Sequence, residues 1–372
     1  MQESPLFEKV YGALIGSAIG DAMGGPVEML SFEEIERKYG VVDELLPYLD
    51  KEPSAHGPWA REAGSYTDDT RIARIYCRAI IEKGDVPTDK NIARAFIKYY
   101  HSATGKFSKD FIEEYYLKAI YREDKQIFGG QPTNCGIMGI TPFGVVNACN
   151  VQKAFDDAFR AMFIVEGYAR YSAAIAAAAI AAAMKPEIQV ADVINDSLNA
   201  LRKHKARVEG KGWVNCHLYS EVGQKNEYLI KKGIEIAKKY KNSFEIKHEL
   251  YNAVKQQFFA DGSETLAIAL TMFYAAAGDF KNTVIGAVNF GRDNDSSASV
   301  AGAIAGAYGG INAIPRKWVA LVEKVNTTPK IKKLAEGVSE VIANNFKYQM
   351  DMLQHVQKLF KSDEGGEGSH II

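Results

Sequence analysis

Apolar residues recur at spacings of three and four along most of the chain, the period of a helix with one buried face, and the alternating runs and tight turns of hairpins are missing. The pattern predicts helices over residues 6–23, 32–39, 69–82, 90–101, 110–121, 151–165, 172–184, 190–204, 226–239, 247–257, 263–277, 280–288, 297–309 and 315–324, and hence an all-α fold. No period extends past its own element and no segment repeats. The chain therefore reads as one domain over residues 1–360, with residues 361–372, small and acidic and without an apolar period, as a tail.

Three of these helices are unusual in composition. In residues 6–23, Gly12, Gly16 and Gly20 stand four apart and strip one helix face of side chains. Each glycine costs a helix about 1 kcal/mol relative to alanine, so a closely packed neighbour must compensate. Gly24, Gly25 and Pro26 end that helix. Residues 298–307 are nearly all small, which suits deep burial. Residues 172–184 are mostly alanine, but a bilayer span needs about 20 apolar residues, so this segment reads as a tightly packed central helix. Between helices, loop chemistry runs over residues 47–66, and residues 128–144 break the helical pattern in mid-chain as a candidate ligand loop.

Composition narrows the function classes. Hydrophobic residues at 47% and charged ones at 24% support a full core. Lys+Arg 45 against Asp+Glu 46, with no polybasic run, leaves no field to hold a nucleic-acid backbone or an anionic membrane. Cys77, Cys135, Cys149 and Cys216 are scattered without a CxxC pair, so neither a zinc site nor a disulfide framework is indicated. The first residues lack a basic region followed by an apolar stretch, and a cytoplasmic location is expected.

Two acidic segments carry the candidate chemistry. Thr67, Asp68, Asp69 and Thr70 stand where the Gly- and Pro-rich loop meets a helix, and Asp293, Asp295 and Ser296 stand immediately before the small-residue helix. Each segment is consistent with an ordinary N-cap, where negative charge is favourable by up to about 1 kcal/mol. If the second helix is buried, however, its acids are drawn inward, where carboxylates are costly unless cations neutralise them. Four carboxylates with hydroxyls, and no histidine or thiolate, make a hard oxygen donor set suited to Mg2+ or Mn2+. The two segments lie more than half the chain apart, and spacing alone leaves two independent caps and one shared site both open.

The chain resembles the ADP-ribosylglycohydrolase family in residues 11–28, 66–70, 134–144, 290–295 and 300–310, ahead of Ile314 and Pro315, in the family's order and across most of the first 320 residues. The resemblance implies an orthogonal helical bundle with a binuclear metal centre at the base of a cleft. It implies that Thr67, Asp68, Asp69, Asp293, Asp295 and Ser296 hold two divalent cations, and that Glu28, Asp69 and Asp293 do the acid–base work. It implies that Gly129, Gly130, Asn134, Cys135 and Gly136 line a loop that admits a diphosphate and a ribose. The residues alone leave Glu28 readable as an exposed loop glutamate and these glycines as ordinary turn residues. The implied reaction is hydrolysis at the anomeric carbon of ADP-ribose, foremost from a modified protein side chain such as arginine.

Two departures from the family pattern bear on this. Ser296 and Ser297 stand where the common form has Thr and an apolar residue, although serine keeps an oxygen for a metal. Around residues 169–172 some members place a ligand-contacting histidine, and this chain has none. Arg292 either pairs with an acid or contacts an anionic ligand. The alternatives are a hydrolase of free ribosyl nucleotides or nucleosides and a non-catalytic relative of the lens-crystallin kind; retention of all four aspartates favours an enzyme. The sequence carries no mark of the oligomeric state.

Overall fold

Ser4 accepts a hydrogen bond from the Phe7 amide and Pro5 occupies the first turn, so helix α1 (Pro5–Gly24) starts cleanly and runs into a single 3-10 turn at Gly25–Val27. In the computed structural model, which describes residues 4–48, 62–102, 117, 132–209, 217–240, 242–327 and 329–360, α1 is buried on nearly every side. The helices that follow are α2 (Phe32–Tyr39), α3 (Asp68–Lys83), α4 (Asp89–Ser102), α5 (Thr141–Val146), α6 (Val151–Ala161), α7 (Tyr168–Ala183) and α8 (Val190–Glu209). After them come α9 (His217–Ala237), α10 (Lys247–Val254), α11 (Gly262–Ala275), α12 (Phe280–Val288), α13 (Asn294–Gly309), α14 (Arg316–Val325) and α15 (Ile331–Phe360). Among the described residues there is no strand, only two isolated bridges, as the periodicity predicts.

The centre of the fold is the antiparallel pair α1 and α13. A β-carbon on Gly12, Gly16 or Gly20 would land on the carbonyl of Gly306, Gly302 or Ala298, and one on Gly302 or Gly306 would land on the carbonyl of Gly16 or Gly12. Glycine thus meets glycine across the contact, and the two backbones touch. The dispersion gained by this close approach offsets the poor helix propensity of both partners. Inside the contact Ser17 Oγ lies 2.8 Å from Ser299 Oγ and accepts from Thr141 Oγ1 at 3.2 Å, so the buried hydroxyls satisfy one another.

The remaining helices enclose this pair. Helices α7, α11 and α12 pack on α13, and α3, α14 and α15 cover α1. Helix α7 is buried throughout from Ala173 to Ala183, which accounts for a composition that mimics a membrane span. No helix of the described residues is long and apolar enough to cross a membrane. Lys9 Nζ donates to the carbonyls of Ala183, Ala307 and Tyr308, tying together the C-terminal ends of α7 and α13 where the helix dipoles favour a cation.

The structure departs from the sequence pattern in several places. Residues 141–144, expected in the ligand loop, begin the buried helix α5, with Pro142 in its first turn where a missing N–H costs nothing. The helix expected at 226 begins at His217, and the one expected to reach 165 ends at Ala161. Helix α15, 30 residues long, was not anticipated. Of the helix expected at 110–121 only Leu117, which is helical, is described, and the tail at 361–372 lies outside the described residues.

Gly20→Ala tests the contact. The gain in helix propensity is about 1 kcal/mol, whereas overpacking against a backbone carbonyl costs about 3 kcal/mol or more, so a net loss of stability is expected in urea unfolding. An unchanged or raised midpoint would refute the close-contact account.

Candidate active site

The C-terminal end of α1 abuts the N-termini of α3 and α13, and this is where the two acidic segments meet. A β-carbon on Gly24 would strike the backbone at Asn294 and Asp295, so the start of α13 lies directly against the end of α1. Thr67 Oγ1 donates to Asp295 Oδ2 at 3.3 Å, and Ser296 Oγ donates to Asp69 Oδ2 at 3.3 Å, two contacts that cross between the segments. Carboxylate oxygens of Glu28, Asp293 and Asp295 lie within 4.8 Å of one another. Thr67, Asp69, Asp293, Asp295 and Ser296 are buried, while Glu28 and Asp68 are half-buried.

Capping accounts for only part of the arrangement: Asp295 Oδ1 accepts from the Ser296 amide at 2.8 Å in the first turn of α13. Thr67 and Asp293 occupy the cap positions of α3 and α13, yet neither side chain accepts a capping hydrogen bond. The oxygens face one another instead. Burial, reinforced by the neighbouring carboxylates, pushes the carboxyl groups of Asp69 and Asp295 well above the usual range. Burial and the nearby Glu28 charge raise Asp293 to about 6, against hydrogen bonds that favour its charged form. Asp69 Oδ1 is buried with no hydrogen-bond partner. Clustered like charges and an unsatisfied carboxylate oxygen, with no imidazole or thiolate in the set, fit a hard divalent cation.

Several residues that support this arrangement were not singled out from the sequence. Asp21, fully buried in α1, accepts from the Thr67 amide at 2.8 Å, the Thr70 amide at 3.0 Å and Thr70 Oγ1 at 2.5 Å, so it fixes the turn that presents Asp68 and Asp69. Burial lifts its carboxyl to about 6 despite those donors. The available signal was that Asp21 is the one charged residue in the apolar stretch from Val10 to Gly24.

The Arg292 alternatives resolve in favour of an ion pair. Its Nε and Nη2 donate to the two carboxylate oxygens of Glu264 at 2.7 and 2.9 Å, and Nη2 also donates to the Gln256 carbonyl at 2.8 Å. This pairing holds Arg292 at φ +66°, a left-handed conformation that disfavours side chains. In return the Arg292 amide donates to the Leu30 carbonyl and its own carbonyl accepts from the Met29 amide, which stitches the Glu28 segment to the Asp293 segment beside the Ser31–Gly291 bridge.

Of the expected substrate loop, Gly129 and Gly130 lie outside the described residues. Asn134 does reach the acids, since its Nδ2 donates to Asp293 Oδ2 at 2.8 Å. Its own amide donates to the Ala260 carbonyl, and the Thr133–Asp261 bridge fixes the loop to the start of α11. Cys135 is half-buried. Gly136 faces the core, where a β-carbon would strike Val165. In the segment without the histidine, the Tyr168 hydroxyl donates to Asp261 at 2.7 Å, and Lys225 Nζ pairs with the same carboxylate at 2.9 Å.

Known proteins of similar sequence and fold place the chain in a family. The chain is 23% identical over 323 residues to the ADP-ribosyl-dinitrogen reductase glycohydrolase of Rhodospirillum rubrum, covering 85% of this chain and 90% of that protein. It is 22% identical over 345 residues to the ADP-ribosylarginine hydrolase Tri1 of Serratia proteamaculans, covering 90% and 80% respectively. A solved structure titled ADP-ribosylglycohydrolase-related protein complex has the same fold, with a TM-score of 0.60 at 19% identity over 91% of this chain and 99% of that one. The ADP-ribosylglycohydrolase family pattern itself matches residues 2–347, and the chain therefore belongs to that family of hydrolases.

Proposed function

We propose that this enzyme cleaves the bond between the anomeric carbon of ADP-ribose and a side-chain nitrogen of a modified protein, arginine foremost. The observation that carries the reading is the meeting of the Thr67–Asp69 and Asp293–Ser296 segments around a buried carboxylate oxygen without a partner. The similarity to an ADP-ribosylarginine hydrolase supports the choice of arginine. Two divalent cations, Mg2+ or Mn2+, held by Thr67, Asp68, Asp69, Asp293, Asp295 and Ser296, would orient the ribose hydroxyls and acidify a water when bound.

The chain's own groups supply the rest. As the glycosidic bond breaks, positive charge builds on the ribose, and the carboxylates around it stabilise that charge. Glu28 is half-buried within reach of Asp293 and Asp295, which suits a base that takes a proton from the attacking water. The oxygen of that water bonds to the anomeric carbon, the leaving nitrogen departs with the bonding pair, and a proton from an acid of the cluster, Asp69 or Asp293, neutralises it. Asn134 orients Asp293, and Asn134 and Cys135 would stand at the rim that admits the diphosphate.

A panel of ADP-ribosylated protein, ADP-ribosyl-arginine and small ribosides, assayed with Mg2+ and Mn2+, tests the substrate. Release of ADP-ribose from the arginine conjugate is expected, and turnover confined to the small ribosides would replace this reading with a nucleoside hydrolase. Calorimetry with Mn2+ and ADP-ribose separates both from an inert relative, which would bind neither.

Asp295→Asn should abolish turnover and weaken Mn2+ binding while the far-ultraviolet circular dichroism stays helical; unchanged kinetics would exclude Asp295 from the site. Asp21→Asn places amide hydrogens against the Thr67 and Thr70 donors, so Mn2+ affinity should fall by about 10–100-fold, as for other residues that orient metal ligands. Retention of full affinity would show that Asp21 only packs.

The carboxyl shifts also set a pH dependence. Asp21 and Asp293 titrate near 6 in the folded protein and near 4 when unfolded, so their burial is best tolerated when protonated. Metal-free stability from these groups is complete below about pH 4 and is lost as pH rises through 6. The rise in Tm on adding Mn2+ should therefore be larger at pH 7 than at pH 5, and an equal rise at both would contradict the assignment.

A further inference from the structure

Helix α15 changes surroundings half way along its length. Ile331, Leu334, Ala335, Val338 and Val341 are buried against the body of the protein, and Gly337 makes room for Ile81. The same apolar stripe then continues past the edge of the bundle, but from Phe346 to Phe360 every residue is exposed. Phe346 is 62% exposed, Leu353 51% and Phe360 83%. Among the described residues only the start of this stretch, at Phe346 and Gln349, borders the bundle; a helix of about fifteen residues is marginal in water on its own, and its apolar face must be covered for it to persist. We propose that a second copy of this chain covers it, the two α15 helices packing antiparallel about Leu353.

Three observations select that occupant. The first is the distribution of side chains about Leu353. Phe346, Gln349 and Met350 precede it by seven, four and three residues, and Phe360, Gln357 and Val356 follow it at the same distances. All six lie within about 60° of Leu353 around a helix that turns 100° per residue. Turning the helix end for end therefore sets aromatic beside aromatic, amide beside amide and aliphatic beside aliphatic, which is what an isologous two-fold interface requires. The paired glutamine amides are also each other's hydrogen-bond partners.

The second observation is charge. Lys347, Asp351 and Lys358 all fall on the opposite side of the helix, so two copies meet without burying a charge. A lipid-surface helix would carry a strongly basic polar face, whereas this one sets Asp351 between Lys347 and Lys358 and is followed by Lys361 and then by Asp363, Glu364 and Glu367. The third is extent. Phe346, Met350, Leu353, Val356 and Phe360 are all exposed along about four turns of this one face, a longer continuous apolar stripe than monomers usually leave uncovered.

Light scattering on the full chain at tens of micromolar decides the matter. A species of twice the 41.0 kDa chain mass is expected, and Leu353→Glu should convert it to a monomer in which amides 346–360 exchange rapidly with deuterium. ADP-ribose hydrolysis per chain should be unchanged in that variant, because the substitution lies outside the acidic site. Lys347→Glu, on the opposite face, should remain a dimer. A monomer at every concentration, a dimer that survives Leu353→Glu, or a monomer that co-sediments with phosphatidylserine vesicles would each overturn the proposal.

Discussion

The close approach of α1 and α13, where glycines let backbone meet backbone, sets the position of the acidic cluster. Because backbone rests on backbone, their separation is set by the peptide units themselves and leaves no rotamer to relax. The contact runs antiparallel from Gly12 against Gly306 to Gly24 against Asp295, so the end of one helix and the beginning of the other arrive at the same point. Glu28 follows the first, and Asp293 and Asp295 open the second. Helix α3 joins them because Asp21, on α1, receives the amides at its first turn. The site is thus referenced to one rigid axis.

Around that axis the strained and costly features are compensated in place. Arg292 takes a backbone conformation that side chains disfavour, and the bidentate pair with buried Glu264 keeps it there. The gain is that the Glu28 and Asp293 segments are stitched by two backbone hydrogen bonds at a residue adjacent to the acids. The acids themselves are arranged against their own repulsion, with Asp69 left one oxygen short. Such an arrangement stores electrostatic cost that a divalent cation would relieve.

Much of this was legible in the sequence because it was written as local composition. The four-residue glycine spacing announced a close helix contact, the small residues at 298–307 announced burial, and acids at both helix starts announced a choice between caps and a site. What the sequence withheld were partners chosen by tertiary structure. Asp21 has partners that lie 46 and 49 residues away, which no local pattern reports. Glu264 gave no sign that it would claim Arg292. Helix α15 escaped notice because glycine and two asparagines interrupt it, at Gly337, Asn344 and Asn345, and because its stripe faces the body in one half and the exterior in the other. The expected ligand loop ran into residues 141–144, which are helical, since a proline in the first turn of α5 looks the same as a proline in a loop.

The pairing of α1 with α13 also shapes how the protein comes into being. Ser17 and Ser299, which touch in the folded core, are separated by 282 positions. At about 5–20 residues per second of synthesis, the first helix waits for tens of seconds before its partner exists. During that interval a glycine-rich, greasy segment with poor intrinsic helicity has nothing to lie against. Newly made chains should therefore lean on cellular chaperones until the last third of the polypeptide has left the ribosome.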